Sequence, residues 1–338
     1  MKTIYLHVSA IFITFLMLMA SSSLKAQWTY DSKFGFEGTG NGEFRSPFDI
    51  VLSATDTLYV TDGFNDRVQL FNTDGDYLGY FGVSGTNDGE FDIPSGIALD
   101  AEGNVYVSDF ENDRVQVFTS KGVFLSKFGA SGTGDGEFEN PGGIVIDGAG
   151  NIIVLDNGNS RVQIFDDNGV YSSQFGSPGN GNGEFGSPYG LALDQSGNIL
   201  VADYFNDRVQ KFSSTGVYLA QFGVSGSGDG AFDRPTGIAI DGNDRIFVSD
   251  LNGRVQVFNS SFTYLDKFGE QGIGNGQFIA PFGMEFIDSY AIFVVDNQLN
   301  NVQRFEETPP VPLSNYGFLL AILLITGALV LNTRLFRN

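Results

Sequence analysis

The chain has no cysteine among its 338 residues, and its single histidine, His7, lies near the N-terminus. Disulfides, thiolate nucleophiles and zinc sites with cysteine ligands are therefore excluded. After residue 7 there is also no imidazole for a zinc site or a Ser-His-Asp triad. No catalytic residues are predicted on these grounds.

Positive charge is scarce as well. The chain has 18 Lys and Arg residues against 40 Asp and Glu residues, which gives a formal net charge of -22. Such a surface repels the phosphates of nucleic acid, so a nucleic-acid partner is not expected. The same charge favours solubility and the binding of cations or of a basic partner.

What the chain does have is an internal repeat. A proline recurs at intervals of 46 or 47 residues, at Pro47, Pro94, Pro141, Pro188, Pro235 and Pro281. An Arg-Val-Gln triplet recurs in step with it, and a degenerate sixth triplet begins at Asn301. A fixed period of this length is typical of a repeat architecture.

Each copy contains four short runs of β-branched and aromatic residues separated by turn residues. In the second copy the runs are 96–100, 104–108, 114–118 and 124–128. Runs of about five residues joined by Gly-containing turns predict antiparallel strands. Four such strands repeated six times predict an all-β, six-bladed β-propeller.

The ends of the repeat region predict how the ring closes. Residues 28–35 match the fourth strand of later copies, whereas the sixth copy stops after its third strand, at Phe305. We therefore expect the N-terminal strand to complete the last blade, which removes two exposed sheet edges.

The run from Pro94 to Asp109 and the run from Asn112 to Phe118 resemble the NHL repeat. The resemblance covers residues 28 to about 307 and implies a six-bladed propeller. It implies a binding or scaffolding module for protein, peptide or glycan partners. The alternative is a calcium-dependent hydrolase or lactonase-like enzyme, or a lyase-like one, acting in the central channel.

The two ends of the sequence differ from the repeats. Residues 1–26 predict a secretory signal peptide, with an uncut membrane anchor as the alternative. The propeller is assigned to 27–307, and the Pro-rich residues 308–312 predict a stiff linker. Residues 313–338 join an apolar run, predicted to be a hydrophobic helix, to a basic end.

Residues 311–338 begin with Val-Pro-Leu-Ser-Asn-Tyr, followed by the apolar run and the basic end. They resemble the exosortase-type (PEP-CTERM/IPTL-CTERM-like) sorting signals of Gram-negative bacteria, with a plain membrane anchor as the alternative. The resemblance implies recognition by a sorting machinery and transient membrane anchoring. It also implies display at the cell surface or in the extracellular matrix.

Binding is expected on the face that carries the long loops, because loops on a rigid scaffold often carry function. The candidates follow the second strands of three blades: Phe64, Asn65, Asp66, Phe110, Glu111, Asn112, Tyr204, Phe205 and Asn206.

Two further sets of charged residues recur with the repeat or interrupt it. The recurring set favours structural ion pairs over a cation site: Asp62, Asp109, Asp156, Asp203, Asp250, Asp296, Arg67, Arg114, Arg161, Arg208 and Arg254. Because Asn301 replaces the arginine in the sixth copy, we expect Asp296 to be held differently. Asp49 and Glu285 interrupt the repeat on adjacent inner strands, where they could bind calcium or repair the seam.

The Gly-Asx-Gly loops that enter each blade also admit two interpretations. Their oxygen-rich sequence is compatible with calcium binding. Gly, Asn and Asp are equally what tight turns require, and turns are the favoured interpretation. Calcium is therefore the one possible cofactor.

Overall fold

A computed structural model describes residues 27–308. The predicted signal segment and the predicted C-terminal helix lie outside these residues, as does the linker apart from Thr308, which ends the last strand. Among the described residues, no helix is long and apolar enough to cross a membrane.

The described residues form six four-stranded antiparallel sheets, and five of them are built from strands that follow one another in the chain. The first three blades contain β2–β13: Pro47–Leu52, Thr57–Asp62, Arg67–Asn72, Tyr77–Phe81; Pro94–Leu99, Val105–Asp109, Arg114–Phe118, Phe124–Phe128; Pro141–Ile146, Ile152–Asp156, Arg161–Phe165, Tyr171–Phe175. The next two contain β14–β21: Leu191–Leu193, Ile199–Asp203, Arg208–Phe212, Tyr218–Phe222; Pro235–Ile240, Ile246–Asp250, Arg254–Phe258, Tyr264–Phe268.

The sixth blade closes the ring. Its strands are β22 (Pro281–Asp288), β23 (Ala291–Asp296), β24 (Asn301–Thr308) and, outermost, β1 (Gln27–Phe34). The predicted closure by the N-terminal strand is thus confirmed. The innermost strands β2, β6, β10, β14, β18 and β22 contact each other in sequence around the ring, and β22 contacts β2.

The core lies between neighbouring blades rather than inside one sheet. Each interface contains a set of Phe rings from the end of an outer strand, the loop that follows and the third strand of the next blade. Phe81, Phe91 and Phe118 form one set, with ring centroids 4.8–6.4 Å apart. The loop rings are almost fully buried, which explains why Phe recurs in every copy: Phe44, Phe91, Phe138, Phe185, Phe232 and Phe278.

The inner strands pack closely at the second residue after the repeat proline, which is glycine in five blades and Asp49 in the first. A Cβ on Gly96 would collide with the carbonyl oxygen of Gly142 in the next blade, and one on Gly237 with that of Phe282. Across this position the pairing of the first two strands of most blades shifts by one residue, as between Pro47 and Ile50. Such β-bulges change the direction of side chains locally.

Candidate functional site

The inner strands of all six blades surround a central cavity of about 400 Å³. Its wall is mostly Ile, Leu, Val and Ala side chains. The titratable side chains in that wall are Asp49, Glu285 and Tyr189. The two carboxyl groups therefore make this cavity asymmetric in charge.

Asp49 stands where the other five blades have glycine. Its Oδ1 accepts a hydrogen bond from the Ile50 amide at 2.9 Å, and its Oδ2 accepts one from Ile97 of the next blade at 3.2 Å. Its own amide donates to Thr61 Oγ1 at 2.9 Å. Asp49 thus joins the first and second blades with a carboxylate that lines the channel.

Glu285 lies deeper, two residues along β22 from Gly283. Its Oε1 accepts a hydrogen bond from the Leu52 amide of the first blade at 3.2 Å. The structure therefore places the two predicted repeat-breaking acids on adjacent inner strands, both lining the same cavity. The Glu285 bond crosses the seam between the last and first blades, as the seam interpretation requires, whereas the inter-blade bond of Asp49 goes to the second blade. Both side chains also line the channel.

Both acids are shifted toward the neutral form. Burial raises the pKa of Glu285 to about 8; the Leu52 amide opposes this shift and the nearby charge of Asp49 adds to it. Burial also raises the pKa of Asp49 to about 6, against the two amides that favour its charged form. Desolvation by the channel wall is thus the main cause, as expected for carboxyls in an apolar site.

Aromatic rings cover part of the channel mouth. The residue after the repeat proline is aromatic in three blades, as Phe48, Tyr189 and Phe282, and small in the others, as Ser95, Gly142 and Thr236. The centroids of Phe48 and Phe282 are 5.9 Å apart, and those of Tyr189 and Phe282 are 5.1 Å apart. Rings from the first, fourth and sixth blades therefore meet across the mouth.

This cluster continues outward onto the loop face. The Tyr204 ring lies 5.9 Å from Tyr189, and the Phe205 ring lies 4.9 Å from Tyr204. We call these five rings the aromatic row: Phe48, Phe282, Tyr189, Tyr204 and Phe205. The guanidinium of Arg234, paired with Asp233, lies 5.9 Å from the Tyr204 ring centroid.

The loop residues predicted to bind divide into two groups. Phe64 and Phe205 are 50 % and 66 % exposed, and both lie in one-turn 3-10 helices, Gly63–Asn65 and Tyr204–Asn206. Glu111 is also exposed, whereas Phe110 and Tyr204 are half-buried.

The asparagines and Asp66 have structural partners instead. One donor group of each asparagine bonds its own blade's aspartate and a loop carbonyl, as Asn112 does with Asp109 and Gly85 at 2.9–3.0 Å. The others in this role are Asn65 and Asn206. Asp66 accepts the amide of Ile93 in the next blade at 3.0 Å. These four hold the loops in place.

The recurring acids and arginines form buried ion pairs. In the second blade, Arg114 Nε donates to Asp109 Oδ2 at 2.7 Å. The arginine's Nη atoms donate to carbonyls of the entering loop, at Thr86, Asn87 and Glu90. The same pairing joins Asp62 with Arg67, Asp156 with Arg161, Asp203 with Arg208, and Asp250 with Arg254.

Asp296 is held differently from these five aspartates. It accepts hydrogen bonds from the amides of Ile279, Ala280, Gln298 and Leu299 at 2.8–3.2 Å. Burial raises the pKa of Asp296, and these amides oppose the rise. Backbone donors thus take over the role that arginine has in the other blades.

The Gly-Asx-Gly loops are organised as turns. Glu90 Oε2 accepts both the backbone and side-chain nitrogens of Asn87, at 3.0 and 2.9 Å. Glu43, Glu137 and Glu184 accept the equivalent loop amides. Within residues 27–308, no group of three or more His, Cys, Asp or Glu side chains is arranged to hold a metal ion.

Comparison with protein families supports the repeat. The NHL repeat model matches residues 91–118, and a model described as a 6-bladed beta-propeller matches residues 148–221. No curated protein sequence matches the chain. The described residues thus form a six-bladed β-propeller, and one of its repeats matches the NHL model.

Many solved structures share the fold. A Bacteroides thetaiotaomicron protein of unknown function has a TM-score of 0.65 at 16 % identity, covering 84 % of this chain and 77 % of that one. A streptogramin B lyase has a TM-score of 0.59 at 13 % identity, covering 85 % of this chain and 100 % of that one. A putative gluconolactonase has a TM-score of 0.60 at 15 % identity, covering 84 % and 93 %. At these identities the likeness shows the fold alone.

Sequence reasoning missed the aromatic mouth. Phe48, Tyr189 and Phe282 follow the repeat proline directly, and the change between aromatic and small residues at that position was the available signal. These three side chains converge because the closed ring of blades brings residues that are distant in sequence to the same channel mouth.

Proposed function

We propose that this protein is a non-catalytic binding module that recognises a protein, peptide or glycan partner with its loop face. The observation that carries this proposal is the aromatic row, which crosses the channel mouth and ends at the exposed ring of Phe205. Exposed aromatic side chains supply large contact areas, and they are enriched at the energetic centres of binding sites.

The asymmetry of this face supports a single binding orientation. The Asp–Arg pairs and the Phe sets recur around the ring, and recurrence of that kind serves the fold. The aromatic row occurs once, and it joins rings from three of the six blades. A rigid propeller would present it with little rearrangement, which lowers the conformational entropy lost on binding.

The proposal includes where the protein works. An exported propeller, carried to the cell surface or matrix by the predicted signal and sorting segments, would meet macromolecular partners there. The net charge of -22 favours partners that are neutral or basic.

An enzyme acting in the channel is the second candidate, and one observation favours it. Asp49 and Glu285 line a cavity and have pKa values raised to about 6 and about 8, and shifted acids of this kind often occur at catalytic sites. Solved propellers with this fold include a streptogramin B lyase and a putative gluconolactonase. For a calcium-dependent route the pair supplies two carboxylates, whereas calcium takes about six to eight oxygen ligands.

The binding proposal is tested with the full-length protein on a glycan array and a peptide library. The ligands retained by the wild type are then titrated against the Phe205→Ala and Tyr204→Ala variants. We expect each variant to weaken binding by about tenfold or more, as for a residue at the centre of an interface.

The matched control is Tyr290→Ala, which removes a ring that is 55 % exposed in the turn between β22 and β23, at the other end of the blade. Its binding should equal that of the wild type. If both row variants bind as tightly as the wild type, the aromatic row is not the binding surface. Turnover of a lactone panel that is lost in Glu285→Gln would establish the enzyme instead.

A further inference from the structure

The channel cavity is a separate site from the loop face, although the aromatic row borders both. The cavity holds about 400 Å³, which is within the range of about 300–1,000 Å³ found for small-molecule pockets. Its wall presents polar and apolar surface in about equal amounts, so it suits a small ligand that has both a polar and an apolar part.

The charged side chains in this wall are both acidic. Asp49 and Glu285 project from adjacent blades, and none of the described residues that line the cavity is Lys, Arg or His. The pKa of Glu285 is raised partly by the charge of Asp49, so the two carboxyls interact through the channel. A ligand that brought positive charge to this point would relieve their repulsion.

The hydrogen bonds leave Glu285 with capacity for a ligand. Its Oε1 accepts the Leu52 amide, whereas its Oε2 accepts no hydrogen bond from any described residue. Glu285 is half-buried and lines the cavity, and its Oε2 is not among the fully buried side-chain oxygens of the described residues. A cationic donor in the cavity could therefore form a charge-assisted hydrogen bond with this oxygen.

The surroundings favour an organic cation over a metal ion. Besides Glu285, the lining residues at the equivalent position of the other five blades are all apolar: Val51, Ala98, Val145, Ala192 and Ala239. A calcium ion would need several further oxygen ligands there. An alkyl or aryl ammonium needs two or three acceptors for its head and apolar surface for its body.

The channel mouth also suits a cation. A cation is attracted to the face of an aromatic ring within about 6 Å of the centroid. Phe48, Phe282 and Tyr189 line the same cavity as Asp49, and their rings contact one another. The second and third blades have the small residues Ser95 and Gly142 at the equivalent position.

We propose that the central channel binds a small organic ammonium, with its charged head between Asp49 and Glu285 and its apolar body against the inner strands. This site is independent of any macromolecular partner on the loop face.

The test is calorimetric titration of the full-length protein at pH 8 with hexylammonium and with hexanol, its neutral counterpart. We expect the ammonium to bind at least about tenfold more tightly than the alcohol, which is the discrimination that one charge-assisted contact provides. The Glu285→Gln and Asp49→Asn variants should each lose that preference while still binding both compounds weakly.

Two further variants make the result specific. Glu102→Gln removes an exposed acid from the turn between β6 and β7 and should leave hexylammonium affinity unchanged. Ala239→Leu fills the channel without changing its charge and should abolish binding of both compounds, so the conclusion does not depend on the folding of the acid variants. Circular dichroism melting confirms that each variant is folded.

Several outcomes would overturn the proposal. Equal affinity for the ammonium and the alcohol would show an apolar cavity without charge selection. Absence of binding by both compounds would show that the channel is closed to ligands. Calcium that binds the wild type and displaces hexylammonium in competition would assign the carboxylates to a metal instead.

Discussion

The buried ion pair of the second blade allows a quantitative prediction about stability. Asp109 has no exposed surface, and Arg114 is its only cationic partner in the described part of the chain. Replacing Arg114 with Met keeps most of the apolar stem but leaves the carboxylate buried without its cation. Removing one partner of a buried pair costs about 3–5 kcal/mol.

Other contacts adjust this figure in both directions. In the variant, Asp109 still accepts hydrogen bonds from the amide of Asp92 at 2.8 Å and from the side chains of Asn112 and Gln116 at 3.0 Å. These bonds reduce the stability that is lost. The entering loop loses three hydrogen bonds from Arg114, and each contributes about 1 kcal/mol net of its exchange with water. We therefore expect Arg114→Met to lower the free energy of unfolding by about 4 kcal/mol.

Urea denaturation followed by circular dichroism measures this change. The matched control is Lys127→Met, which breaks a pair between Lys127 and Asp88 that is about half exposed on both sides. That variant should change stability by about 1 kcal/mol or less, as surface pairs do.

The double variant Asp109→Asn/Arg114→Met separates charge from packing. It should be about 2 kcal/mol more stable than Arg114→Met, because no charge then remains buried. The reasoning is wrong if Arg114→Met costs less than the Lys127 control, or if adding Asp109→Asn destabilises the protein further.

Three more predictions follow from the inner strands and the last blade. Gly237→Ala should destabilise the fold by about 2–4 kcal/mol because its Cβ would meet the Phe282 carbonyl, whereas Gly242→Ala, with open space around it, should be neutral in the same urea titration. Glu285→Gln should stabilise the protein by about a few kcal/mol at pH 9 and have little effect below pH 4. The pKa of Glu285 in the folded state is about 8, above the ordinary 4.5. The stability of the wild type therefore falls as the pH rises between these two values. Stability curves of both proteins against pH test the sign. Asp296→Asn should cost about 2 kcal/mol, because an amide offers one acceptor oxygen to four backbone donors, and thermal melting would refute this if the midpoint were unchanged.

Most of the fold could be predicted from the repeat, because the six copies have the same pattern of strands and turns. A strand boundary that is ambiguous once becomes clear when five more copies end at the same place. The partner of Arg114 could be foreseen for the same reason, since an aspartate precedes the arginine at a similar distance in five blades. Asp296 could be singled out because Asn301 breaks that pattern.

The candidate site was predictable only where it interrupts the repeat. Asp49 and Glu285 could be identified as deviations, and their placement on adjacent inner strands followed from the closed ring. The aromatic row could not be identified this way, because Phe48, Tyr189 and Phe282 are distant in sequence and each fits its own strand. The structural roles of Asn112 and its equivalents could not be predicted either. The sequence of a loop does not distinguish an asparagine that bonds within its own blade from one that contacts a binding partner.

The seam of the ring has a consequence for folding kinetics. Thr29 donates to the Glu306 carbonyl across a separation of 277 residues, and the Tyr30 ring packs on Phe305. Loop-closure entropy rises only with the logarithm of length, so this bond is not much weaker at equilibrium than a local one. It must, however, form late, because its two strands meet only after the intervening blades have bent the chain into a circle. The slow phase of refolding should therefore report on the seam, and the order of events would be reversed on unfolding, with the sixth blade opening first.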